Sequence, residues 1–167
     1  AAIESEINRK GLNNAGIESF ARILANSTPP QIVVAPDGLD VRVDHPWFDR
    51  VKFLAEDLIC LEGSVSASET WALTEHVILG QHILPGTAYL EMVRAALAEI
   101  TGSLRMEFRR VGFLQPLVAK PGQTIEILTV LKKQDAGWSF KVLSLDGSRE
   151  NDLWIEHARG EVEDSNL

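Results

Sequence analysis

A single helical run that is apolar on nearly every side constrains the fold of this 167-residue chain more than any other feature. The run follows Gly86 and extends from Ala88 to Ile100, and its charged interruptions are Glu91, Arg94 and Glu99. A surface helix shows one apolar stripe, whereas a helix that is apolar all round must be buried. We therefore expect a fold in which other elements surround this helix.

Strand-like runs precede and follow the helical run, with Gly- and Asp-rich turns between them. Thr87 is the predicted N-cap of the helix, and Thr101-Gly102 is predicted to end it. One buried helix among antiparallel strands predicts an α+β domain whose sheet curls around the helix. The predicted strands occupy residues 57–67, 105–114, 123–132, 138–145 and 153–162.

The first 44 residues differ in character from the remainder of the chain. They contain a helical pattern around residues 17–24, a Thr28-Pro29-Pro30 stop and a short β-branched strand at 31–35. Such a segment is too small to bury a core of its own. We interpret residues 1–44 as a linker or the tail of a preceding domain.

Composition narrows the classes of function. The net charge of −8, with basic residues scattered along the chain, argues against binding of nucleic acid through phosphates. No apolar run reaches the eighteen residues of a membrane span, so we expect no membrane contact. The single Cys60 excludes an internal disulfide and fits a cytoplasmic location. Clusters of Cys and His are missing, so we expect no metal site.

The segment before the helix carries the candidate chemistry. His76 lies in an apolar stretch, which disfavours a charged imidazole and suits a base that acts near pH 7. The helix N-terminus offers free N–H groups to a carbonyl oxygen that gains charge when an α-proton is removed. Gly80 and Gly86 allow a ligand to approach the backbone, and Pro85 stiffens the turn. A purely structural histidine is the alternative interpretation.

The spacing His76-x-x-x-Gly80-x-x-x-x-Pro85 resembles the signature of dehydratase domains of modular polyketide synthases and related fatty acid synthases. Further blocks in the same order resemble such domains, and together they cover residues 45–163: His45-Pro46, Trp71 to His76, Pro85 to Glu91, Phe113 to Leu117, and Trp154 to Gly160. Residues 11–36 resemble, more weakly, the tail of a ketoreductase region.

The resemblance implies the N-terminal half of a double hot-dog fold at residues 45–163, with residues 164–167 as the start of the linker between the halves. It implies dehydration of a 3-hydroxyacyl thioester to the α,β-unsaturated thioester, with His76 as the base. An aspartic acid of the second half would protonate the leaving hydroxyl. Partners would be that second half and an acyl carrier protein, whose phosphopantetheine holds the substrate, without another cofactor. Substrate would contact Gly80, Pro85, Gly86 and Tyr89.

Three alternatives remain open at this point. The chain is also compatible with a non-catalytic, degenerate hot-dog module. It is also similar to stand-alone bacterial dehydratases, in which a homodimer would set His76 against Glu91 of its partner. Glu91 paired with Arg94 on the helix surface is the simpler interpretation of that glutamate. Hot-dog folds also host thioesterases, but the spacing from Gly80 to Pro85 favours dehydration.

The other histidines have interpretations of their own. His82 is interpreted as a loop or pocket-lining residue rather than a second base. His45 is expected to mark a turn, and His157 is expected to be a cross-strand partner. Core or rim positions are the simplest interpretation of Trp71, Trp138 and Trp154.

Overall fold

A computed structural model describes residues 41–54, 57–102, 105–146 and 153–164. Predictions for residues 1–40 and 165–167 lie outside the described residues. Within these ranges, no helix has both the length and the apolar character needed to cross a membrane. The described elements, in chain order, are β1 (Val41–His45), β2 (Phe48–Leu54), β3 (Leu58–Ser66), α1 (Trp71–Thr74), β4 (Val77–Ile78), β5 (Gln81–Ile83), α2 (Gly86–Thr101), β6 (Met106–Phe113), β7 (Val118–Ala119), β8 (Thr124–Lys133), β9 (Trp138–Asp146) and β10 (Leu153–Asp164).

The strands form two antiparallel sheets. The larger sheet has seven strands in the order β1-β2-β3-β8-β9-β10-β6. The smaller sheet has three short strands in the order β4-β5-β7. Two strands of the small sheet, β4 and β5, lie between α1 and α2 in the sequence, and the third, β7, follows β6. The small sheet is therefore linked by short segments both to the start of α2 and to β6, an edge strand of the large sheet.

The helix α2 is the centre of the main hydrophobic core. Its apolar side chains are buried together with the inward-facing side chains of the large sheet, which confirms the predicted α+β architecture of a sheet around one buried helix. Core members from the helix are Ala88, Tyr89, Met92, Val93, Ala95, Ala96 and Leu97, and members from the strands include Ile59, Leu61, Ile127, Leu131, Phe140 and Val142.

The two ends of α2 differ in how well they were predicted. Gly102 ends the helix as expected, with φ 73° and an N–H that donates to the carbonyl of Ala98 at 2.9 Å. The prediction of Thr87 as the N-cap is wrong, because Pro85 occupies that position with φ −66° and ψ 147°. The ring of Pro85 fixes φ at this residue, and the backbone carbonyl of Pro85 accepts the N–H of Ala88 at 2.9 Å. The helix therefore begins before Thr87.

The five predicted strands are β3, β6, β8, β9 and β10, each confirmed within two residues. The alternation in β3 is loose because both faces of the strand are buried. On the outer face of the large sheet, Cys60, Leu128 and Leu143 belong to a second apolar cluster. β1 pairs with β2 and begins at Val41, so the sheet includes residues assigned above to the leading segment.

One buried polar group leads to a prediction about stability. Thr129, in β8, is 0% exposed, and its Oγ1 has no hydrogen-bond partner among the described residues. An unsatisfied buried hydroxyl costs about 1–3 kcal/mol. We expect Thr129→Val, which keeps the side-chain shape, to raise the free energy of unfolding in urea by about 1 kcal/mol. Thr124→Val, at an exposed position of the same strand, is the control without such a gain. A less stable Thr129→Val protein would show that the hydroxyl is satisfied.

Candidate active site

The hairpin of β4 and β5 carries the segment with the candidate chemistry. Ile78 pairs with Gln81, so Leu79 and Gly80 form a two-residue turn. Both turn residues have positive φ, 51° at Leu79 and 78° at Gly80, as the hairpin turn that fits twisted strands requires. Gly80 adopts this conformation without a steric penalty, whereas Leu79 is strained and its side chain is 99% exposed.

His76 precedes β4 and is bound to β5 by both its backbone and its ring. Its carbonyl accepts the N–H of Ile83 at 3.1 Å, and its Nδ1 lies 2.7 Å from the carbonyl oxygen of Ile83. A carbonyl only accepts, so Nδ1 carries the proton and donates it. In the neutral ring, Nε2 therefore has a free lone pair, and it has no hydrogen-bond partner within the described part of the chain. This arrangement fixes one tautomer of the neutral ring and leaves Nε2 able to accept a proton.

The helix α2 begins at Gly86, three residues after Ile83, so its first turn lies close in sequence to the strand that binds His76. Pro85 makes no side-chain cap, so no capping side chain occupies the first N–H groups of the helix. A Cβ at Gly86 would lie 3.0 Å from the ring of Phe113, so glycine allows this ring to approach the start of the helix closely. A group that gains negative charge near these amides would be stabilised by them and by the positive end of the helix dipole.

Tyr89 is buried rather than open to solvent, with an exposed fraction of 2%. Its hydroxyl accepts the N–H of Leu117 at 3.2 Å, and its ring is near those of Phe113 and His157. Core packing is therefore its observed role, and substrate contact by Tyr89, as by Gly80, Pro85 and Gly86, remains a prediction.

Glu91 forms the ion pair that its spacing predicts. Both of its carboxylate oxygens accept hydrogen bonds from the Arg94 guanidinium, each at 2.6 Å. These hydrogen bonds hold the pKa of Glu91 below its ordinary value, against a smaller opposing effect of burial. A carboxyl group that stays ionised is a poor proton donor, which weakens the case for Glu91 as the acid of a homodimeric site.

His82 and His45 each form a hydrogen bond between the ring and a backbone group. His82 lies in β5 rather than in a loop, and its Nδ1 is 2.8 Å from the carbonyl of Leu73, which anchors α1 to the small sheet. His45 ends β1 and accepts the N–H of Trp47 at 3.2 Å, so it marks a turn as predicted. Among the described residues, no three His, Cys, Asp or Glu side chains are grouped so as to hold a metal ion.

Sequence reasoning missed an exposed apolar rim around His76. Its members lie on the β4–β5 hairpin, at the end of β6 and on β7. Each has an exposed fraction of 38% or more, whereas large apolar side chains are usually hidden unless they meet a partner. The one available signal was the unbroken apolar run that starts at Val77. The rim consists of Val77, Ile78, Leu79, Phe113, Leu114 and Val118.

Comparisons of sequence place these features in a family. Residues 45–145 match the model of the polyketide synthase dehydratase domain. The highly reducing polyketide synthase lcsB of Purpureocillium lilacinum is 28% identical over 110 residues, 62% of this chain and 4% of that protein. Polyketide synthase PksM of Bacillus subtilis (strain 168) is 36% identical over 102 residues, 58% of this chain and 2% of that protein. The chain thus spans a small part of the length of these relatives.

Comparisons with solved structures find dehydratase domains of similar fold. The bifunctional dehydratase-cyclase domain in ambruticin biosynthesis is 28% identical, with a TM-score of 0.60 over 78% of this chain and 47% of that chain. An inactive mutant of CurJ dehydratase, with a histidine replaced by phenylalanine, is 23% identical with a TM-score of 0.65 over 74% and 43%. An inactive mutant of CurK dehydratase, with an aspartate replaced by asparagine, is 22% identical with a TM-score of 0.59 over 71% and 43%. The predicted hot-dog fold, as the first half of a double hot dog, is confirmed.

The strained turn gives a prediction. Asparagine adopts positive φ more readily than leucine, and the side chain of Leu79 makes no buried contact that would be lost. We expect Leu79→Asn to raise the free energy of unfolding by roughly 0.5–1 kcal/mol, measured by thermal denaturation. Leu79→Ala keeps a Cβ at the same φ and is the matched control, without a gain. Equal stability of both variants would contradict the strain at this turn.

The pair on α2 gives a second prediction. Because Arg94 lowers the pKa of Glu91 in the folded chain, the pair stabilises the fold at neutral pH, and this contribution is lost as pH falls through the folded pKa. Arg94→Met should raise the pKa of Glu91 in a carboxyl NMR titration. It should also cost a few tenths of a kcal/mol near pH 7, since the pair is solvent-screened. Arg109→Met, which removes ion pairs to Glu107 on β6 and Glu163 on β10, should leave the pKa of Glu91 unchanged.

Proposed function

This chain belongs to the polyketide synthase dehydratase domain family, and on that premise we propose that it supplies the basic half of a dehydratase active site. The substrate would be a 3-hydroxyacyl thioester on the phosphopantetheine of an acyl carrier protein. The product would be the α,β-unsaturated thioester. The observation that carries the proposal is the ring of His76, with Nδ1 bound to the Ile83 carbonyl and Nε2 free.

The proposed reaction is an elimination driven by acid–base chemistry. Nε2 of His76 takes the proton from the α-carbon, and the electron pair of that C–H bond forms the new double bond. Charge that develops on the thioester oxygen is stabilised by N–H groups at the start of α2, at Gly86 and Thr87. The 3-hydroxyl leaves as water after it receives a proton from an acid. His76 then carries the proton that it removed.

The acid is proposed to come from a second hot-dog half. Glu91 is the alternative within this chain, but its two hydrogen bonds from Arg94 favour the ionised form. In two related dehydratases, replacement of one histidine or one aspartate gave inactive mutants, and this chain aligns with 43% of each of those domains. A base in the first half and an aspartic acid in the second half fit these facts.

The exposed apolar rim supports the presence of a covering partner. The side chains of Leu79 and Phe113 are exposed on the elements that adjoin His76, so a substrate bound there would be open to solvent without a partner that covers the rim. A second half placed over the rim would exclude water and strengthen the electrostatic effects at the site. The second half and the acyl carrier protein are therefore the proposed partners of this chain.

Replacement of His76, the proposed base, tests the proposal. In the complete dehydratase domain, we expect His76→Ala to reduce water loss from a 3-hydroxyacyl carrier-protein substrate by roughly 10²-fold or more, because general-base catalysis contributes that amount. Mass spectrometry of the carrier protein measures the loss of water, and circular dichroism checks the fold. His82→Asn retains a donor for the Leu73 carbonyl and should keep most of the rate. Unchanged dehydration by His76→Ala would exclude His76 as the base, and an inactive wild-type domain would favour a non-catalytic module.

A further inference from the structure

An irregular segment joins the large sheet to the small one. Residues 114–117 connect β6 to β7 without helix or strand structure, so their backbone groups need partners elsewhere. The N–H of Leu114 donates to the carbonyl of His157 at 2.8 Å, and the carbonyl of Gln115 lies 2.9 Å from Nδ1 of His157. One residue of β10 thus holds the start of the segment with its backbone and its ring.

The ring of His157 reaches the segment because β10 is irregular at this point. The pairing of β10 with β9 shifts between Glu156 and Ala158, and such bulges re-aim a side chain. The Gln115 carbonyl only accepts, so Nδ1 of His157 donates, and Nε2 accepts the hydroxyl proton of Ser144 at 2.8 Å. Burial lowers the pKa of His157, although the bond to Gln115 opposes this, so the neutral ring with one tautomer is favoured.

Tyr89 holds the other end of the segment. Its ring stacks on that of His157, with centroids 6.0 Å apart and planes 4° from parallel. Its hydroxyl accepts the N–H of Leu117, and burial raises the pKa of Tyr89 to about 12, so the hydroxyl stays protonated. The two rings therefore form one buried unit that binds both ends of a short segment.

The segment is connected in turn to the base. The carbonyl of Leu117 accepts the N–H of Leu84 at 3.0 Å, and Val118 pairs with Ile83 in the small sheet. Ile83 is the residue whose carbonyl accepts the hydrogen bond from Nδ1 of His76. Three hydrogen bonds and the short stretches of backbone between them, residues 115–117 and 83–84, thus connect the ring of His157 to the ring of His76.

We propose that His157 is a positioning residue for His76, acting through residues 114–117 and the carbonyl of Ile83. This inference rests on the proposed function, in which His76 is the base. An apolar residue would fill the same buried space without the cost of removing an imidazole from water. That cost is offset here because both ring nitrogens are bonded, and a fully bonded buried network specifies one geometry.

The test uses nitrogen NMR of the histidines in this chain. In the wild-type chain, the ¹⁵N shifts should report a proton on Nδ1 of His76. His157→Phe keeps a ring against Tyr89 but removes the donor to Gln115. We expect this variant to show His76 averaged over both tautomers. We also expect amide exchange at Leu117 to rise roughly tenfold, because the segment opens locally.

Two variants separate positioning from general loss of stability. His157→Asn keeps a donor close to the place of Nδ1, so it should restore the wild-type shifts of His76. Val162→Ala removes buried volume elsewhere in β10, and at a matched melting temperature it should leave those shifts unchanged. Equal shifts in His157→Phe and Val162→Ala would overturn the proposal. If His157→Phe does not fold, His157→Leu, which also lacks the donor to Gln115 and is smaller than phenylalanine, carries the same comparison.

Activity of the complete domain separates this proposal from the proposed function. His157→Phe should lower kcat for dehydration while KM stays near the wild-type value, because the base is misplaced and substrate binding is retained. Two results together would overturn the role of His76 as the base but keep its structural link to His157. These are a shifted His76 tautomer in His157→Phe and dehydration that continues in His76→Ala. Dehydration that depends on His76, with unshifted His76 spectra in His157→Phe, would overturn the link alone.

Discussion

The burial of α2 within the curved large sheet is the interaction on which the other features of this structure depend. The apolar sides of the helix pack against inward-facing side chains of the strands, so the helix has one orientation relative to them. Its first turn is thereby held beside the small sheet, where Gly86 lies against Phe113 and Tyr89 reaches the backbone of Leu117. The hydrophobic effect has no direction, but close packing of the apolar sides of α2 against the sheet leaves little freedom for its ends, while Glu91 and Arg94 lie on its partly exposed side.

The small sheet illustrates how a marginal element is kept in place. Its strands contain two or three residues each, so its own backbone hydrogen bonds are few. Two histidine side chains supply additional bonds: His82, in β5, binds the backbone of α1, and His76, which precedes β4, binds β5. The bond from His76 to β5 also fixes the tautomer of His76. The same contact therefore helps to hold the small sheet together and prepares the ring for the chemistry proposed for it.

The predictive value of the sequence varied with the length of the element. The buried helix and five strands of eight to twelve residues were visible in the apolar pattern. The strands β1, β2, β4, β5 and β7 were not predicted. A pattern with a period of two needs more than the two or three residues of β4, β5 and β7 to appear, and the seven residues of β2 do not alternate regularly between apolar and polar. Thr87 was a reasonable N-cap by residue type, but the neighbouring Pro85 has the fixed φ and the free carbonyl that the first turn uses. The i,i+3 pair of Glu91 and Arg94 was predictable because helix geometry alone sets that distance.

The sequence by itself determined which helix must be buried, where the long strands run, and which histidine stands before the helix in the spacing of a dehydratase signature. Only the tertiary structure decided what that histidine binds. The partner of His76 is the carbonyl of Ile83, and the partner of His157 is the carbonyl of Gln115, 42 residues away in the chain. Every residue has such a carbonyl, so no residue type marks it in the sequence. Its availability depends on which backbone groups the folded sheets leave unpaired.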